Sequence, residues 1–263
     1  MAQTFTTQSL VQMLAFPFKD PHWMKKMAIG GAITLLSPFL LLIPSTFVEG
    51  YYLRIMKGII VDRKDPSMPE WDDWEGLFID GCRLIGVALV YLLPAILVAS
   101  VGISFAILPI VITAGSRNPG AMDQTFLLFS NFTAQGLFMF TFLLSSLASI
   151  ISAAGFGHLV ARDSFKAGFA VRGWWPIFRA NLGGFVISFI LFMALNWMVT
   201  MGAEVLIFTV ILCVIGLLAA CLAGFYVNAV KYALFALAYR EGADRVSPPL
   251  PPQVELIEVG GNR

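Results

Sequence analysis

Charged side chains are scarce in this chain of 263 residues, and five long stretches contain none. Only 13% of the residues are charged, whereas 58% are hydrophobic and the mean hydropathy is +0.81. A water-soluble helix hides only one apolar stripe, so this composition excludes an ordinary soluble domain. The charge-free stretches are 27–48, 84–116, 124–161, 180–203 and 205–230.

Each of these stretches is long enough for a membrane, because a bilayer core about 30 Å thick requires roughly 20 apolar helical residues. We predict an all-α integral membrane bundle with four full transmembrane helices and a first, proline-broken segment. One membrane-embedded domain is expected over 1–245, followed by a proline-rich tail over 246–263. Within that domain the predicted hydrophobic segments are 27–48, 84–114, 126–157, 182–201 and 205–230.

Residues that commonly carry catalysis or hold metals are also few. His22 and His158 are the only histidines, and the three cysteines have no CxxC spacing. We therefore expect no enzyme and no metal site, and we assign no cofactor. His158 could ligate a haem or a pigment, but the ordinary interpretation is an interfacial histidine bonded to a neighbour. Cys82, Cys213 and Cys221 are interpreted as reduced packing residues.

The first segment, 27–48, is interrupted by Pro38 and Pro44, so it either crosses the membrane or returns as a helical hairpin. A hairpin places 16 Lys and Arg residues on one side and 1 on the other, against 13 and 4 for a crossing. Since cytoplasmic loops are rich in Lys and Arg, the distribution favours the hairpin. Both the N-terminus and the C-terminus are then expected in the cytoplasm, with no cleaved signal peptide.

Aromatic residues flank two of the predicted spans. Trp71, Trp74 and Phe78 share one face of a helix predicted to start at Pro69, and Trp174 with Phe178 repeats the arrangement. We interpret both as amphipathic helices at the membrane interface. The alternative for the first is a divalent-cation or partner site at Glu70, Asp72 and Asp73. The full set of predicted interface anchors is Trp23, Trp71, Trp74, Trp174, Trp175, Lys57, Arg162 and Lys231.

Small and amide side chains interrupt the apolar runs. Such residues allow membrane helices to approach closely or to hydrogen-bond across helices, within this chain or with another. The amides Asn131, Gln135, Asn196 and Asn228 are expected to bond between helices. The small-residue ladders, for which packing within the chain is the default, are Gly216, Ala220 and Gly224, and Ser145, Ser149, Ala153 and Gly157.

Four motifs resemble a known family, most strongly over residues 15–90. They are Phe16-Pro17-Phe18-Lys19-Asp20-Pro21-x-Trp23, Ile29-Gly30-Gly31, Gly50-Tyr51-x-x-Arg54 and Pro69-Glu70-Trp71-Asp72-Asp73-Trp74. In these the chain is similar to a prokaryotic multi-pass membrane family, domain of unknown function 4013. The resemblance implies a polytopic helical membrane protein and brings no activity or catalytic residues with it.

The absence of obvious chemistry leads to a structural function as the first hypothesis. We predict a non-catalytic subunit or scaffold in the cell membrane, with the lipid bilayer and other integral membrane subunits as partners. The net charge of +1 argues against a nucleic-acid partner. The alternative is a passive transporter or channel for a small or lipidic solute, with the proline-broken first segment forming part of a gate.

Overall fold

The computed structural model describes residues 7–115, 124–208 and 212–247, and that part of the chain is helical without strands. Four of its helices, within 74–114, 124–162, 182–208 and 213–246, are long and apolar enough to cross a membrane, which confirms the predicted all-α bundle. The α-helices are α1 (Thr7–Ala15), α2 (Trp23–Leu36), α3 (Ile43–Ile60), α4 (Trp74–Gly115), α5 (Gln124–Arg162), α6 (Val171–Ala180), α7 (Leu182–Phe208) and α8 (Cys213–Val246). Short 3-10 helices cover Phe16–Lys19 and Phe165–Phe169.

The first hydrophobic segment folds as a helical hairpin. Helix α2 stops at Leu36, and α3 starts at Ile43 with Pro44 in its first turn, where its missing N–H costs nothing. The reversal between them uses Leu41 and Leu42 with φ of 51° and 63°. Leucine rarely adopts this left-handed backbone, so the turn stores strain.

Contacts with one aromatic ring show that the two limbs of the hairpin run side by side. The Phe225 ring of α8 packs directly against Gly30 of α2, and it lies 5.6 Å from the Tyr51 ring of α3. Gly31 lies against Leu222, nine residues after α8 begins. Helix α2 continues for only five residues beyond Gly31, about 7.5 Å, whereas α8 extends nine residues, about 13.5 Å, from Leu222 back to Cys213, so α2 ends before the first residue of α8.

The linker after α3 departs from the predicted helix start at Pro69. Residues 62–73 are not helical, and α4 begins at Trp74. Asp73 provides the reason, because its Oδ1 accepts a hydrogen bond from the Gly76 N–H at 3.0 Å and so caps the helix. Trp74 and Phe78 therefore belong to the first turns of a spanning helix, whereas α6 is a separate short helix as predicted.

The boundary between the last two spans also differs from the prediction. The predicted segments 182–201 and 205–230 leave Glu204 in a turn between them, but it lies inside α7, four residues before that helix ends at Phe208. The fifth segment was predicted from residue 205, and α8 begins at Cys213. A single charge marks proximity to the membrane surface and does not end a helix, which explains the error.

The long helices form two antiparallel pairs, α4 with α5 and α7 with α8, that join at one end. We call this the polar end, because ion pairs such as Arg63–Asp244 and Arg83–Asp163 connect its segments. Near it the core is dense: most of 152–160 in α5 and 225–239 in α8 is buried. At the opposite, outer end, the side chains of 105–114 and 194–208 are mostly exposed.

Candidate functional site

A buried lysine connects the N-terminal segment to the linker before α4. Lys26 is 4% exposed, and its Nζ lies 2.7 Å from Asp20 Oδ2 and 2.6 Å from Glu70 Oε1. It also donates a hydrogen bond of 2.9 Å to the Met68 carbonyl. We call Lys26, Asp20, Glu70 and Met68 the lysine clamp; it draws the entrance of α2 onto the linker.

Charge pairing decides the protonation of the clamp. Burial alone would raise the pKa of the Asp20 carboxyl, but hydrogen bonds from Lys26 and from the His22 backbone N–H outweigh it and lower the pKa. Burial likewise opposes the charge on Lys26, yet the hydrogen bonds to Asp20 and Glu70 raise its pKa. Both shifts favour the charged forms of Asp20 and Lys26, as expected of a structural ion pair.

The predicted interface anchors differ in how far their side chains are exposed. Trp71 and Trp174 face protein: Trp71 stacks on Tyr51 at 4.3 Å between ring centroids, and Trp174 is 1% exposed. Lys231 is also partly enclosed, with its Nζ 4.3 Å from the centroid of the Tyr232 ring. Trp23 is half-buried. The remaining anchors are on the surface, where headgroups can reach them: Trp74, Trp175, Lys57 and Arg162.

His158 takes part in helix packing. Its Nδ1 lies 2.7 Å from the Tyr239 hydroxyl, which joins α5 to α8. Its Nε2 lies against Gly173 of α6, so close that a Cβ added there would come within 2.7 Å of it. Both ring nitrogens therefore face protein. This arrangement agrees with the interpretation of His158 as a histidine bonded to a neighbouring residue. Within 7–115, 124–208 and 212–247, no group of three or more His, Cys, Asp and Glu residues could hold a metal ion.

The small-residue ladders divide between packing and open surface. Gly157 fits against the ring of Tyr239, Ala153 is fully buried, and Gly216 packs on Leu206 of the neighbouring helix. Ser145, Ser149 and Ala220 are half-buried. Gly224 differs from them, because a Cβ added there would meet nothing within 4 Å.

The amide side chains within the spans do not bond between helices in the described structure. Gln135 donates to Asn131 at 3.3 Å on the same helix, and Asn228 donates to the Gly224 carbonyl one turn earlier. Asn196 is exposed on α7, and its side-chain amide has no hydrogen-bond partner among the described residues. The expectation of bonds between helices is therefore not met by the described contacts of this chain.

Asn196 lies near the middle of its span. It follows Leu182 by 14 residues and precedes Phe208 by 12, which places it about 18–21 Å from either end of α7. At that depth water is absent and lipid tails offer no hydrogen bonds. Asn131 and Gln135 are also exposed, and Gly136 beside them has open space in front of it. Asn196 of α7 is the candidate site, because its uncovered amide lies on a surface that another membrane helix could contact.

The family model for DUF4013, described as a protein of unknown function, matches residues 33–223. The chain belongs to the DUF4013 family. The match confirms the resemblance but covers a different part of the chain: the motifs before residue 33 lie outside it, whereas α4, α5, α7 and the start of α8 lie within it. No curated protein and no solved structure matches the chain. DUF4013 membership thus agrees with a multi-pass helical protein and transfers no activity.

Two features of this DUF4013 chain were missed in the sequence. Gly50 of α3 and Gly81 of α4 form a crossing in which a Cβ on either would fall on a backbone carbonyl of the other helix. Asn181, between α6 and α7, is buried and donates to the Ala238 carbonyl at 2.9 Å. The spacing of glycines could have indicated the crossing. No local sequence pattern predicts the hydrogen bond from Asn181 to Ala238, because the two residues are 57 positions apart.

Proposed function

We propose that this protein is a non-catalytic subunit or scaffold that packs against other membrane helices in a larger assembly of the cell membrane. The observation that carries the proposal is the exposed amide of Asn196, unpaired among the described residues near the middle of its span. An amide in lipid gains free energy when a neighbouring helix supplies a polar partner. Exposed Trp197, the next residue along the helix, provides apolar contact area.

Charge distribution supports a cytoplasmic location for the polar end. All segments rich in Lys and Arg meet there, including the entrance of α2 and the ends of α5 and α8. Cytoplasmic loops carry such an excess. Both the N-terminal segment and the end of α8 then face the cytoplasm. Arg117 is the one cation assigned to the outer side, and it lies outside the described residues.

Labelling in intact cells tests the orientation, in a background with the three native cysteines replaced. Cysteine at Glu204, four residues from the outer end of α7, should react with an impermeant thiol reagent added outside. Cysteine at exposed Arg172 of α6 should react only after the cells are opened. The reverse pattern would refute the orientation.

Partner binding is tested by photocrosslinking and co-purification of the full chain. A photoreactive residue at Trp197 should give an adduct with a transmembrane segment of a definite partner, and Asn196→Leu should weaken recovery of that partner about 3- to 30-fold. This corresponds to one hydrogen bond between helices of about 0.6–2 kcal/mol. Met198→Leu is the control, because Met198 is also exposed on the lipid side but lies about 200° around the helix from Asn196; it should leave recovery unchanged.

Two results would count against a subunit role. One is recovery of the protein without any crosslinked partner. The other is solute flux from the purified protein alone in liposomes, which would instead support the passive transporter. If Asn196→Leu leaves that flux unchanged, the solute pathway does not depend on the proposed contact surface.

A further inference from the structure

A second feature at the polar end is independent of the subunit role. The ends of α3, α5 and α8 and the side of α6 enclose an open cavity of about 350 Å³. Three arginines line it, Arg63, Arg162 and Arg240, together with His158 and Tyr239. Of the described residues that line it, none is acidic. Cavities of this size accommodate small ligands or headgroups.

The three arginines differ in how far their charge is already satisfied. Arg63 is paired with Asp244, with nitrogen–oxygen distances of 2.7 and 2.8 Å. Arg162 is exposed and makes no hydrogen bond or ion pair within the described residues. Arg240 is half-buried, and its guanidinium has one long hydrogen bond, 3.4 Å to the Ile59 carbonyl. Two guanidinium groups therefore retain most of their donors.

Carboxylates around the cavity do not cancel these two charges. Asp244 is engaged by Arg63, while Glu241 accepts from Asn181 at 3.3 Å and lies 3.9 Å from Arg245. Asp244 and Glu241 also act electrostatically on Arg240, and Asp65 has a smaller effect, but Arg63 opposes all three. The field at the cavity is positive, since Arg162 and Arg240 face it without a paired carboxylate.

The wall of the cavity is held in place by packing. Tyr239 is 2% exposed, and its hydroxyl is fixed 2.7 Å from His158 Nδ1, which in turn lies against Gly173. This contact joins α5, α6 and α8 behind the arginines. Arginine presents a planar fork of donors that matches the oxygens of a phosphate group. Basic pockets between the ends of membrane helices are typical of anionic headgroup binding.

We propose that this cavity binds a phosphate group between Arg162 and Arg240, carried either by an anionic lipid headgroup or by a small soluble ligand. The donors and the positive field supply recognition of the phosphate. The source of that phosphate is separated by experiment, because a lipid reaches the cavity only from the membrane.

The test uses the full chain in nanodiscs. In one arm, the protein in phosphatidylcholine alone is titrated with inorganic phosphate by calorimetry. In the other, nanodiscs contain phosphatidylcholine with phosphatidylglycerol, and native mass spectrometry counts the phosphatidylglycerol that stays bound. Arg162→Gln should weaken binding about tenfold in whichever arm is positive, as expected for loss of a charge-assisted contact.

Arg162→Gln is the informative variant because Arg162 has no bonds within the described structure that its loss would break. Arg240→Gln is the second variant and should weaken binding similarly. Arg179→Gln, an exposed arginine of α6 that does not line the cavity, is the matched control and should bind as the unchanged protein does. Phosphate binding alone identifies a soluble ligand, and lipid retention alone identifies a headgroup. Absence of both, or equal binding by Arg162→Gln and Arg179→Gln, would overturn the proposal.

Discussion

At the scale of single residues, the crossing of α3 and α4 leaves less space for an added Cβ than any other described glycine contact. Gly50 and Gly81 each face a backbone carbonyl of the other helix, Leu77 and Thr46 respectively. A backbone carbonyl cannot rotate away as a flexible side chain can. The separation of the two helices is therefore set by the absence of a Cβ at both positions.

Gly50→Ala should strongly destabilise the protein, by about 2–3 kcal/mol or more, because the added methyl group forces α3 and α4 apart. Gly58→Ala is the matched control in the same helix, where a Cβ would meet nothing within 4 Å. That control should be neutral or stabilising by up to about 1 kcal/mol, since alanine is the better helix former. Thermal unfolding in detergent compares them, and equal melting temperatures for the two variants would contradict the crossing.

At the scale of elements, the lysine clamp decides where the first hairpin meets the linker. Since the pKa of Asp20 is lowered, its contribution to stability is complete above its unfolded pKa of about 3.9 and is lost as the pH falls through the folded value. Since the pKa of Lys26 is raised, its contribution is complete below about 10.4 and is lost as the pH rises through the folded value. Between these limits the contribution of the Asp20–Lys26 pair does not change with pH.

Asp20→Asn should lower the free energy of unfolding by about 1–3 kcal/mol at neutral pH and flatten the acid limb of the stability profile. Asp72→Asn is the control, because Asp72 is exposed and its one ion-pair partner among the described residues, Arg54, lies 3.9 Å away. Melting temperatures measured from pH 3 to pH 8 (an interval chosen to bracket the acid limb) give both profiles. If the melting temperature of Asp20→Asn falls at low pH as much as that of the unchanged protein, the clamp is not the cause of the acid limb.

The sequence predicted elements better than it predicted contacts. Lipid imposes long apolar helices, so four spans and the proline-broken hairpin follow from composition and from Pro38 and Pro44. The start of α4 was missed because Pro69 suits a helix start, whereas the tertiary contacts of Tyr51 and Lys26 hold the Pro69 and Met68 carbonyls outside any helix. The arginine cavity could not be foreseen, since its members lie on segments separated by about 80 to 100 residues.

At the scale of the whole molecule, the two helix pairs are joined at one end and largely uncovered at the other. Buried contacts between α5 and α8 concentrate near the polar end, where Tyr232 and Phe156 rings pack 6.1 Å apart. Toward the outer end, Val205 and Phe208 are 70% and 92% exposed. Without packed side chains, little restrains the outer halves relative to each other, and a partner helix or lipid must complete their surface.

Distances between paired spin labels should therefore differ between the two ends. Labels at Asp163 and Ser247, at the polar end, should give one narrow distance distribution in nanodiscs. Labels at Leu108 of α4 and Val205 of α7, both exposed toward the outer end, should give a broader distribution. Adding a crosslinked partner at position 197 should narrow only the outer distribution, because only that end gains packing contacts. Equally narrow distributions at both ends of the isolated protein would show that the outer halves are already packed, and would remove the physical reason for a partner there.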